Sequence, residues 1–185
     1  MFGRLREKIG QYYLNKKMSE TRVHHDLVSL PSARKVGILY VLEDVPDYER
    51  VSQFVALLQQ ENKEVKALGF VRRKNLIERF LPKLSFDFFS LRDLSWFYQP
   101  VRGKVKEFIE KEFDLLIDLS ISESFPLRYI SGLSKAICRV GRFSEKHASC
   151  YDLMIAAKPA YNAEEYLQQV MHYLTIINSS ETHQD

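Results

Sequence analysis

The chain has 185 residues, 45% of them hydrophobic and 28% charged, with a net charge of +3, which fits one globular domain with a single core. Its two cysteines, Cys138 and Cys150, exclude a disulfide framework and a cysteine-rich zinc site, and suit a reduced, cytoplasmic setting. The basicity is local: residues 1–22 hold six Lys or Arg against two Glu, and the rest holds 21 basic and 22 acidic groups, a balance that argues against binding duplex DNA.

No stretch reaches the roughly 18 apolar residues that span a bilayer, and the start MFGRLREKIGQYYLNKK lacks the apolar centre of a secretory signal. Phe2, Leu5, Ile9 and Tyr12 recur at helical spacing, which predicts a basic amphipathic helix over residues 1–18. Arg4, Arg6, Lys8, Lys16 and Lys17 fall largely off that face. Three uses are open for it: packing on the domain or on a second copy, lying on an anionic membrane surface, or touching RNA phosphates. The cytoplasmic setting then extends to a peripheral place at the inner membrane surface. Residues 19–34 read as a connector, and the adjacent His24 and His25 point to different sides of any regular element.

From residue 35 strands and helices alternate. KVGILYV (35–41) is a continuous apolar, β-branched run and predicts a strand. Val51, Phe54, Val55 and Leu58 mark a helix; EVKALGFV (64–71) a second strand; residues 74–81 a short helix stopped by Pro82; LSFDFF (84–89) a third strand. SLRDLSWFYQ (90–99) is a loop in which Trp96, Phe97 and Tyr98 cannot all face one core, so Trp96 is either a partner contact or the anchor of a loop folded over the sheet edge. Pro100 is expected to open a helix with Val101, Val105, Phe108 and Ile109 on one face. DLLID (114–118), a helix over 125–135, AICRVG (136–141) and YDLMIA (151–156) follow, and Asn162 with Glu165 forms a capping box at the start of the last helix. Residues 178–185 are a polar tail.

Near-continuous apolar strands alternating with helices predict an α/β fold: a single-domain Rossmann-like three-layer sandwich over 35–177, with a mostly parallel sheet of about six strands. The first strand–helix turn, VLEDVPDYER, has no glycine and carries Glu43, Asp44, Asp47 and Glu49. Carboxylates repel a pyrophosphate and suit a helix N-terminus, so no dinucleotide is expected there. No nucleophile elbow, phosphate loop or His-Glu-x-x-His pattern occurs, and no metal or cofactor is expected.

The remaining candidate is FDLLIDLSISESFPLRYISGL (113–133). A strand ending in Asp118 puts a carboxylate near the carboxyl edge of the sheet, where ligands of such folds sit. Ser120, Ser122 and Ser124 add hydroxyls, and Arg128 and Arg142 add guanidinium groups that suit a phosphate or carboxylate. The purely structural alternative makes Ser124 a helix cap, Asp118 a loop brace and Arg142 a surface partner of Glu145.

The blocks KVGILY, VKALGFV, LSFDFFSLRDLSWF, FDLLIDLS, FPLRYISGLSKA and VGRFSE…YDLMI, in that order over residues 30–177, resemble a family of short bacterial proteins with a domain of unknown function. That resemblance implies a fold and assigns no catalytic residue. The stretch FDLLIDLS…SGLSKAICRVGR is similar to the N-terminal Rossmann-like half of heptosyltransferase-type GT-B glycosyltransferases. This second likeness implies a half-fold; those enzymes use a further nucleotide-sugar domain for which the chain leaves no room, so autonomous glycosyl transfer is not expected. Two functions follow as expectations. One is a non-enzymatic binding or scaffolding protein whose basic helix and Trp96 meet a protein partner, a second copy, an anionic membrane surface or RNA. The other is a small enzyme, or a degenerate glycosyltransferase half, binding a phosphorylated sugar or nucleotide at the 118–128 loop.

Overall fold

The computed structural model describes residues 2–21, 23–73, 84–101, 103–158 and 161–177. The helix expected over 74–81 and the tail 178–185 lie outside the described residues. Six strands, β1 (Lys35–Val41), β2 (Glu64–Val71), β3 (Phe86–Ser90), β4 (Leu115–Asp118), β5 (Cys138–Arg142) and β6 (Leu153–Ile155), form one sheet in the order β3-β2-β1-β4-β5-β6. Every pairing is parallel. This is the doubly wound Rossmann-type order, and its two halves diverge between β1 and β4.

Side-chain alternation along β1 sorts the core into two layers. Val36, Ile38 and Tyr40 pack with Val51, Phe54 and Leu58 of α2 (Val45–Gln60) and with Tyr166, Val170 and Leu174 of α5 (Ala163–Ile176). Leu39, with Leu116 of β4, meets Val105 and Phe108 of α3 (Gly103–Glu110) and Leu127 and Ile130 of α4 (Phe125–Leu133). Both long helices begin on a reciprocal cap, Asp44 with Asp47 for α2 and Asn162 with Glu165 for α5. The acidic turn after β1 thus satisfies helix-terminal N–H groups.

The first helix, α1 (Phe2–Glu20), lies against α4, but on a different face from the expected one. Leu5 is 53% exposed and Tyr12 66% exposed, whereas Gly10 and Leu14 are buried and Met18 is half-buried. The reason is steric. Phe125 and Tyr129 of α4 supply the bulk of this contact, and a Cβ on Gly10 would stand 2.8 Å from the Phe125 ring and 2.4 Å from the Phe97 carbonyl oxygen. The helix therefore approaches the rings closely at Gly10 and packs Leu14 and Met18 beyond it.

A second difference concerns Pro100. It is buried in an antiparallel bridge with Leu94 rather than opening α3, and Val101 beyond it is exposed. The extended backbone of that bridge delays the helix to Gly103.

Candidate functional site

β4 ends at Asp118, which is in register with Leu39 of β1. The residue therefore stands at the carboxyl edge of the sheet, beside the point where the two halves diverge. Asp118 is buried, and both its oxygens are engaged: the Ser120 amide donates to Oδ1 at 3.0 Å and the Tyr151 hydroxyl to Oδ2 at 2.7 Å. Burial pushes the carboxyl above its ordinary value, against the opposing pull of Ser120, Tyr151 and the Arg128 charge. Burial, and then Asp118 itself, push the Tyr151 phenol well up, so it remains a donor.

The six residues expected from sequence, Asp118, Ser120, Ser122, Ser124, Arg128 and Arg142, line one cavity of about 170 Å³. Arg128, in the first turn of α4, is only 5% exposed. Its guanidinium stacks 5.3 Å from the Phe125 ring centre, and Nη2 donates to Glu7 and Gln11 of α1, each at 3.3 Å. Among the described residues its Nε has no hydrogen-bond partner, and neither has the buried hydroxyl of Ser124, whereas the Ser120 hydroxyl interacts with the Asp118 carboxyl. Ser124 occupies the N-cap position of α4 in extended conformation, yet its hydroxyl makes no capping bond. Arg142 does not pair with Glu145; its Nη1 donates to the carbonyl of Ile121 and props the loop from the far side.

Sequence reasoning missed the other wall. Ser144, His147 and Tyr151 come from the segment between β5 and β6 and line the same cavity. His147 lies 3.6 Å from Glu123, and burial together with the Arg128 charge lowers its pKa. The missing signal was strand order: β5 pairs directly with β4, so the loops after both strands rise at the same edge. Arg139, by contrast, is held in a fork by Asp152, with contacts of 2.9 and 2.8 Å, and does not line the cavity.

The basic residues of α1 have separate surroundings. The Arg6 guanidinium stacks over Trp96 and Tyr98, at 5.2 and 4.4 Å from their ring centres, and donates to the Trp96 carbonyl. Lys17 donates to the Tyr129 hydroxyl at 2.9 Å. Lys8 and Lys16 are exposed, and the Arg4 side chain lies outside the described residues. Trp96 is 54% exposed, so the loop over the sheet edge is anchored by Pro100 rather than by the indole. No helix among the described residues is long and apolar enough to cross a membrane.

No curated protein and no solved structure matches the chain. The pattern of a family of unknown function, DUF6913, matches residues 6–177, which takes in the sheet, all five described helices but the first residues of α1, and both walls of the cavity. The chain belongs to the family of unknown function DUF6913.

Proposed function

We propose that this protein is a binding module whose cavity between the 119–124 loop and the 142–151 segment takes a small anionic group of phosphate type. The observation that carries the reading is Arg128 Nε, a buried cationic donor without a hydrogen-bond partner among the described residues, beside the similarly unpartnered hydroxyl of Ser124. A buried polar group left unmatched costs about 1–3 kcal/mol, more when it is charged. A ligand oxygen that meets several such donors recovers that cost. The N-terminus of α4 adds its dipole at the same place. Asp118 does not oppose the reading, because both its oxygens are engaged and burial favours its neutral form.

Titration calorimetry with inorganic phosphate tests this. Arg128→Lys keeps a charge but loses the planar fork, and weakens binding roughly 10-fold or more, the worth of a charge-assisted hydrogen bond. Ser124→Ala removes a hydroxyl without a hydrogen-bond partner among the described residues, so it leaves the thermal midpoint in place and weakens binding roughly 2- to 10-fold. Glu7→Gln removes the carboxylate that shares Arg128 and tightens binding. Phosphate binding that is absent in the wild type, or indifferent to all three changes, means that the cavity holds water alone.

A further inference from the structure

A second cavity of about 250 Å³ opens where β1 and β4 diverge, between the N-termini of α2 and α5. Ser120 and Ser122 line both this cavity and the one at Arg128, so the two adjoin along a single loop. Their chemistry differs. At the switch point Glu43 and Asp47 are balanced by Arg72 and Arg50, which pair with them at 3.7 and 3.1 Å. Arg72 is further tied to the loop, donating to the Ser122 hydroxyl at 2.8 Å and the Glu123 carbonyl at 3.1 Å. Among the described residues lining the cavity, each cation is thus already paired with a carboxylate, which leaves little to draw an anion.

Apart from Ser120 and Ser122, the rest of the lining is apolar, with Val51, Leu119 and Leu167, except for Tyr40. Tyr40 is 2% exposed, and among the described residues its hydroxyl has no hydrogen-bond partner. Burial, with Tyr48 and Asp47 nearby, pushes its phenol well above the ordinary value, so it is a neutral group able both to donate and to accept. A buried hydroxyl of this kind, in a charge-balanced pocket with apolar walls, matches an uncharged ligand part that carries hydroxyls of its own.

We infer that the switch-point cavity holds the neutral, hydroxyl-bearing body of the ligand whose anionic group lies at Arg128, so that the ligand class is a phosphate monoester of a small polyol. This rests on the anion-site reading above. Tyr40 bonds the body, Ser120 stands at the passage between the two parts, and Arg128 holds the phosphate. A pyrophosphate-bridged ligand is disfavoured, because Arg72 and Arg50, the cations its second phosphate would meet, are already paired with Glu43 and Asp47.

The test is calorimetry on the full chain with inorganic phosphate, glycerol 3-phosphate and ribose 5-phosphate, on wild type and Tyr40→Phe. The expected order is ribose 5-phosphate tighter than glycerol 3-phosphate, and the latter tighter than phosphate, with about tenfold or more across the series. Tyr40→Phe removes a hydroxyl without a hydrogen-bond partner among the described residues, so the fold persists. It weakens ribose 5-phosphate about fivefold and leaves inorganic phosphate unchanged. If phosphate binds and the sugar phosphate binds no tighter, the two-part ligand is wrong and the anion site stands. If none of the three binds, both readings fall. A Tyr40→Phe loss that is equal for phosphate and ribose 5-phosphate also overturns the inference. Should that variant fail to fold, the wild-type series alone decides.

Discussion

Asp118 and Arg128 set the electrostatics of the cavity. The carboxyl is raised by burial, so the folded chain favours its protonated form, and the stability linked to it falls as pH rises through the raised value. An anion in the same cavity favours that form further. The groups facing Asp118 are Arg128 from α4, Tyr151 from the segment after β5, Tyr166 from α5, and the Ser120 amide and side chain from its own loop. Tyr151 stays protonated because its phenol is raised. Affinity for sulfate, which does not titrate here, is therefore expected to rise as pH falls from neutrality towards the ordinary carboxyl range. His147, lowered by burial and by Arg128, gains its positive charge below the pH at which a histidine ordinarily does. Asp118→Asn removes the part of the slope that Asp118 carries. An unchanged slope in the variant would show that another group carries the dependence. Asp118 was readable from sequence because a polar residue ending an apolar strand points to the sheet's edge, and Arg128 because it follows on the next helix. Tyr40 was not: inside KVGILYV nothing separates it from core, and only its unpartnered hydroxyl gives it a role.

Element by element, α1 is where pattern and structure part. Its largest apolar residues suggested a face through Leu5 and Tyr12, but the buried stripe runs through Gly10 and Leu14 towards Met18. Hydrophobic periodicity gives a glycine no weight, yet Gly10 sets the line along which α1 approaches the rings, with Leu14 and Met18 following it. Gly10→Ala gives a direct check. Helix propensity alone would favour alanine by roughly 1 kcal/mol. Here the new methyl meets the Phe97 carbonyl at 2.4 Å and the Phe125 ring at 2.8 Å, a clash of the kind that costs about 1–3 kcal/mol. The expected result is faster amide hydrogen exchange across α1, with β1 and β4 unchanged. Slower exchange in α1 would mean that propensity wins and that the close approach is not needed. Because Glu7 and Gln11 hold the Arg128 fork, undocking α1 also frees that guanidinium. The caps of α2 and α5, in contrast, were legible outright, since Asp44/Asp47 and Asn162/Glu165 announce themselves by spacing.

At the scale of the whole molecule, the strand order does the assembling. Alternating apolar runs made a parallel α/β sheet readable, but not that β4 lies between β1 and β5. That placement brings the 119–124 loop against the turn after β1 on one side and the 142–151 segment on the other, giving two adjoining cavities of different chemistry. The central claim is that Arg128 presents its free Nε to an anion. A ¹H–¹⁵N NMR titration with inorganic phosphate at fixed pH follows that group directly. The account predicts saturable shifts of the Arg128 Nε–H resonance together with the amides of Ser120, Ser124 and Leu127. A titration that leaves Arg128 Nε–H unmoved, or that shifts only the exposed lysines Lys8 and Lys16 of α1, would contradict it.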